Sequence, residues 1–99
     1  MEITVKNEEK VYTLMIEGRV DTLTACELEK VFRENAEKAD KMIFDMNGVD
    51  YISSAGIRAI VSAYRVMGSK DGLVLKGLRK NVLTIIRMTG LEKKLTIEE

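Results

Sequence analysis

From Val11 onward the hydrophobic period of this chain alternates between two residues and about 3.6, and that alternation constrains the fold more than any other feature. Ile3 and Val5 first alternate with Glu2, Thr4 and Lys6, the pattern of a strand with one wet face. After the polar turn Asn7-Glu8-Glu9-Lys10, a second strand at residues 11–17 completes an antiparallel hairpin that Gly18 ends. Thr24-x-x-Glu27 reads as a capping box, opening a helix from about Leu23 to Ala39 with Ala25, Leu28, Phe32, Ala36 and Ala39 inward. Met42-Ile43-Phe44-Asp45-Met46 is short and apolar, as strands inside a parallel sheet are. Ile57, Ile60, Val61, Tyr64 and Met67 mark a second helix ending at Gly68, and Ser69-Lys70-Asp71-Gly72 turns into a strand at residues 73–75. A last helix carries Val82, Ile85, Ile86 and Thr89, with Gly90 at C′, before a strand at residues 95–97. This order predicts an α/β fold: a hairpin, then alternating β-α units in a mixed, mostly parallel sheet of about five strands with three main helices. The polar alternate face of the first strand predicts that part of the sheet is uncovered. At 99 residues the chain suits one domain spanning residues 1–99.

The missing residue types narrow the chemistry. There is no His, which removes Ser-His-Asp and Cys-His catalysis and imidazole-ligated metals. One Cys, Cys26, can build neither an internal disulfide nor a thiolate cluster, and it reads as a helix-packing residue in a reducing compartment. Sixteen Lys and Arg balance sixteen Asp and Glu, so no basic excess invites nucleic acid. No apolar run can span a bilayer, and the first residues are unlike a signal peptide. The expectation is a cytoplasmic, non-enzymatic chain with no cofactor, no metal, no direct nucleic-acid contact and no membrane insertion. Asp45 and Asp50 offer a formal acid/base pair, but no phosphate-binding glycine loop accompanies them.

The most polar stretch between two buried elements runs from Asp45 to Arg58, from a strand's carboxyl end into a helix start. Open α/β sheets place their functional groups there. With Ser53 as N-cap, Ile52 at N′ and Ile57 at N4 form a hydrophobic staple; with Ser54 as cap the staple is lost. Ser53 is therefore the better cap, and Ser54 falls at N1 with its hydroxyl free. A phosphate there would meet unpaired amides and the helix's partial positive charge, with Arg58 one turn on and Asp50 opposing. The plainer alternative is that both serines only cap a helix. Gly56 gives up helix propensity, and its missing side chain would let another surface approach closely.

Gly48-Val49-Asp50-Tyr51-Ile52-Ser53-Ser54-Ala55-Gly56-Ile57 resembles the signature of bacterial anti-sigma factor antagonists, the single-domain members of the STAS (sulfate transporter and anti-sigma antagonist) family. Glu17-Gly18-Arg19-Val20-Asp21 is similar to the family's segment after the second strand, and Gly77, Val82 and Thr89-Gly90-Leu91 to its C-terminal tail. The resemblance implies a STAS-type fold. It also implies that the unmodified chain binds an anti-sigma factor with serine kinase activity and so releases a sigma factor. Phosphorylation at the serine two residues before Gly56, which is Ser54, would break that complex, and a PP2C-type phosphatase would restore it. Ser53 stands where the family often has Asp, so Ser53 is the alternative acceptor. The implied binding surface comprises Asp21, Thr22, Asp50, Tyr51, Ser53, Gly56 and Arg58. Asp21 as a simple lead into the first helix and Tyr51 as a half-buried ring are the structural alternatives. A STAS-domain accessory subunit of a transporter or signalling scaffold is the alternative function.

Overall fold

The computed structural model describes residues 1–68 and 72–98; the expected turn at residues 69–71 lies outside them. The elements run β1 (Glu2–Glu8), β2 (Val11–Val20), α1 (Thr22–Ala36), β3 (Lys41–Ile52), α2 (Ser54–Met67), β4 (Leu73–Lys76), α3 (Lys80–Met88), a 3-10 turn (Leu91–Lys93) and β5 (Thr96–Glu98). They form a five-stranded sheet in the order β1-β2-β3-β4-β5. β1 and β2 pair antiparallel, and every later neighbour pairs parallel. The mixed α/β architecture expected from the sequence is therefore the observed one.

Because the parallel strands follow one another in spatial order, right-handed crossovers bring α1, α2 and α3 onto the same face. Tyr12, Leu14 and Ile16 of β2, Met42, Phe44 and Met46 of β3, and Leu73 and Leu75 of β4 are buried in the core. Leu28 and Phe32 of α1, Ile60 and Met67 of α2 and Val82 and Ile86 of α3 complete it, with Phe32 edge-on to Phe44 at 6.0 Å between centroids. The alternate residues Val11, Thr13, Met15, Lys41, Ile43 and Asp45 are only half-buried. They floor the uncovered face, whose shallow concavity includes Lys6, Glu8 and Lys76.

Three local readings are corrected. The cap of α1 is Asp21, not Thr24: its carboxylate accepts from the Leu23 and Thr24 amides at 3.1 and 3.0 Å, while the Thr24 hydroxyl accepts from the Asp21 amide at 2.8 Å. Asp21 accepts charge-assisted hydrogen bonds, which a Thr24 cap would not have supplied. The helix ends at Ala36 because Lys38 and Ala39 bond back in a turn. Third, β2 continues to Val20 and β3 to Ile52, where a glycine stop and a polar turn were expected.

The long β3 has a definite irregularity. Met15 pairs with Asp45 but Glu17 with Gly48, and Gly18 pairs with Val49 but Arg19 with Tyr51. Twice, therefore, β3 carries one residue more than β2, which is a β-bulge. Met46, Val49 and Ile52 are buried at a spacing of three, whereas a flat strand buries every second residue. Gly18, beside the second shift, sits at φ +108°, a backbone conformation that a side chain would strain.

Candidate functional site

β2 and β3 run parallel, so the helices that follow them begin at the same edge of the sheet. Asp21 caps α1 and Ser53 caps α2. The Ser53 amide donates to the Val20 carbonyl at 2.8 Å, tying the two strand ends together. Its hydroxyl accepts from the Gly56 amide at 3.3 Å, and its carbonyl accepts from the Ile57 amide at 3.0 Å. Ser54 is the first residue of α2 and is exposed, with no hydrogen bond to its hydroxyl among the described residues. The expected division of labour between the two serines is thus the observed geometry.

The electrostatics at this edge are asymmetric. The Asp21 carboxyl is held below its ordinary value, first by the Thr24 backbone amide and then by the Thr24 hydroxyl, with smaller help from the Leu23 amide and Arg19. The start of α1 is thereby supplied with a negative charge. The first turn of α2 contains no acidic residue, so its partial positive charge is unmatched within the helix. Arg58 is exposed one turn further on.

The bulges set the rest of the surface. Asp50, the extra residue of the second bulge, is exposed beside Tyr51, which is 37% exposed. The Arg19 guanidinium lies 4.3 Å from the Tyr51 ring centroid, a cation–π contact. A groove of about 320 Å³ between α1 and α2 brings Thr22 and Arg58 together with Ala25, Cys26 and Ala55. Cys26, expected as a helix-packing residue, is instead exposed, because it lies off the inward stripe of α1, and its thiol donates to the Thr22 carbonyl within its own helix.

Gly56 is placed differently from the expectation. It is buried, and a Cβ there would lie 2.5 Å from Ile52 Cγ1 and 2.8 Å from Val20 Cγ1. The close approach it permits is made by the molecule's own strands, so Gly56 seats α2 from beneath instead of meeting another surface. Sequence reasoning also missed four residues. Arg79 Nε donates to the Asn47 carbonyl at 2.9 Å and Asn81 Nδ2 to the Asp50 carbonyl at 2.7 Å, both holding the bulged half of β3 from the start of α3. These anchors lie more than thirty residues from their acceptors, and no local pattern marks them. Arg19 carried no signal either. Leu23, 81% exposed at the start of α1, could have been found as the apolar residue off the helix's inward stripe.

The STAS domain model matches residues 2–99. The chain belongs to the STAS family. Anti-sigma-F factor antagonist RsfB from Mycobacterium tuberculosis is 28% identical over 94 residues, covering 92% of this chain and 75% of that protein. The crystal structure of an anti-sigma factor antagonist from Mycobacterium paratuberculosis superposes with a TM-score of 0.90 at 20% identity, covering 98% of this chain and 84% of that one. The Bacillus cell fate determinant SpoIIAA in its phosphorylated form superposes with a TM-score of 0.76 at 10% identity, covering 97% and 90%. These likenesses place the STAS fold on independent sequences. No helix among the described residues is long and apolar enough to cross a membrane.

Proposed function

We propose that this STAS domain is an anti-sigma factor antagonist, with Ser54 as the residue whose phosphorylation switches it off. The observation that carries this reading is the free Ser54 hydroxyl at the first position of α2, beside a cap that Ser53 already provides. The names of its relatives, and the existence of a phosphorylated SpoIIAA with the same fold, support it. In the unmodified state the α2 start, Asp50, Tyr51, Thr22 and Arg58 meet an anti-sigma factor with serine kinase activity, which then releases its sigma factor. Asp21 contributes by holding the start of α1 in place.

In the switching step, Ser54 Oγ attacks the γ-phosphorus of ATP held by the partner. The bond from that phosphorus to the bridging oxygen breaks, ADP leaves, and the hydroxyl proton passes to a base of the kinase. The domain supplies only the nucleophile. The phosphoserine brings about −1.5 to −2 charges to a surface that had packed against the partner. Reversing occupancy from 99:1 to 1:99 takes about 5.5 kcal/mol, a scale that desolvating or repelling such a charge can reach. A PP2C-type phosphatase, delivering water to the same phosphorus, would restore the complex.

The test is intact mass and peptide mapping after incubation with Mg-ATP and the anti-sigma kinase from the same genome. One phosphate on Ser54 is the expected result; on Ser53 it would keep the switch but overturn the division between cap and acceptor. Ser54→Asp should weaken anti-sigma binding at least about tenfold through misplaced charge, while Ser54→Ala should bind and resist phosphorylation. Unchanged affinity of Ser54→Asp would refute the switch.

A further inference from the structure

The outer edge of the sheet has its own logic. β1 is bonded to β2 along one side, and no described residue pairs with the other. Its register with β2 is continuous from Glu2 to Glu8, so no bulge bends the edge away. The chain contains no Pro to blunt it. Val5 is 40% exposed on this strand, while Ile3 packs partly against the core.

The hairpin turn decides which backbone groups face outward. Glu9 and Lys10, at φ 51° and 68°, form a two-residue loop closed by the pair Glu8–Val11. Positive φ at both positions is the type I′ turn, whose flanking residues are a hydrogen-bonded pair. Such pairs alternate along an antiparallel ladder, so Lys6–Thr13, Thr4–Met15 and Glu2–Glu17 are of the same class. The N–H and C=O groups of Ile3, Val5 and Asn7 therefore point away from β2, toward whatever lies beyond the edge.

A second copy of the same strand can meet those groups only if outward residues oppose outward residues. Centring the two-fold axis on Val5 sets Glu2 opposite Glu8 and Ile3 opposite Asn7. Centring it on Lys6 opposes the two lysines. Centring it on Ile3 pairs no charges, and centring it on Asn7 pairs Lys6 with Glu8 but overlaps only three residues of each strand and sets no apolar residue against another. Centring it on Thr4 sets Ile3 against Val5 twice, with both exchanging backbone hydrogen bonds, and sets Glu2 against Lys6 twice on the opposite face. Opposite charges and apolar pairs in these positions stabilise a sheet, and like charges destabilise it.

We propose that β1 pairs antiparallel with β1 of a second copy across a two-fold axis at Thr4, joining two five-stranded sheets into one. The β2 strands of the two copies then run in opposite directions. The two Ser54 edges consequently face opposite ways, and both stay open. The proposal stands apart from the function assigned to Ser54.

Sedimentation equilibrium from about 1 μM to about 1 mM, a range that covers weak association, tests it. The wild-type mass should rise from 11.2 kDa toward twice that value. Lys6→Glu should weaken the dimer about tenfold by opposing like charges twice, and adding Glu2→Lys to that variant should restore it. A monomer throughout, a dimer indifferent to Lys6→Glu, or a double variant that stays monomeric would each overturn the proposal. Amide exchange gives a second readout that needs no variant. Exchange at Ile3 and Val5 should slow as wild-type concentration rises, and a concentration-independent rate would refute the pairing even if Lys6→Glu failed to fold.

Discussion

Gly56→Ala sets helix propensity against packing at one atom, and the structure says which wins. On propensity alone the change is favourable, since alanine is better than glycine in a helix by about 1 kcal/mol. The new Cβ, however, would lie 2.5 Å from Ile52 Cγ1, 2.8 Å from Val20 Cγ1 and 3.2 Å from Ile52 Cδ1. Carbon atoms pack comfortably at about 3.5–4.0 Å. Neither neighbour can yield cheaply. Val20 is 0% and Ile52 2% exposed, and both are β-branched side chains stiff at χ1. Overpacking typically costs about 1–3 kcal/mol, and two clashes against stiff neighbours argue for the upper end. The net is a destabilisation of about 2 kcal/mol, or roughly 10 °C in Tm for a domain of this size. Thermal unfolding followed by circular dichroism measures it directly. Val20→Ala provides the internal control: it should cost clearly less in the Gly56→Ala background than alone, because it removes one of the clashing atoms. A Gly56→Ala protein that melts at or above the wild type would refute the argument that this glycine exists for close packing.

Two further perturbations probe how the site is held. The Asp21 carboxyl is depressed by the Thr24 amide and hydroxyl, so its contribution is full above the ordinary carboxylate value of about 4 and is lost as pH falls through the lower folded value. Asp21→Asn keeps a capping side chain but cannot titrate. Its Tm should therefore fall less than the wild type's between neutral and strongly acidic pH, and parallel falls would show that the cap's charge does not matter. Asn81→Ala deletes the 2.7 Å bond to the Asp50 carbonyl, an exposed interaction worth about 1 kcal/mol. Faster amide exchange confined to residues 47–51 is the expected result, whereas unchanged exchange there would mean that the bulge holds itself.

What the sequence revealed and what it hid divide along a physical line. Elements whose faces are set by burial were legible: Leu28 and Phe32 on α1 and Ile60 and Met67 on α2 lie where periodicity put them, while the apolar run Met42–Met46 was legible as a strand but not for the half-buried alternate residues Ile43 and Asp45. The Ser53 cap was legible because the staple test compares residues only five positions apart. The α1 cap was misread because Thr24-x-x-Glu27 matches the usual capping box, whereas in the observed box, Asp21-x-x-Thr24, a threonine hydroxyl takes the place of the usual Glu or Gln. The far half of β3 was hidden because its two bulges replace the period of two with a period of three, which matches no regular template. Those bulges depend on partners distant in sequence: β2 for the register, and Arg79 and Asn81 for the anchoring. The position of Ser54 is thus a local fact, whereas the surface around it is a tertiary one.

That division bears on how a phosphate at Ser54 would act. The backbone on either side of the residue is already committed. The Ser53 amide is bonded to Val20, the Ser53 hydroxyl and carbonyl to Gly56 and Ile57, and Gly56 is wedged against two buried strand residues. A negative group at the first position of a helix is favourable to that helix, so phosphorylation adds no force that would unwind it. Nor is there an acidic side chain in the first turn of α2 whose repulsion could drive a rearrangement. The contacts around Ser54 all favour the one arrangement, and a phosphate there acts on the surface that the domain presents. The switch proposed for Ser54 must then reside in the difference between a hydroxyl and a dianion as seen by the partner. Its magnitude is set by what the interface demands of that one oxygen, and not by any refolding of this domain.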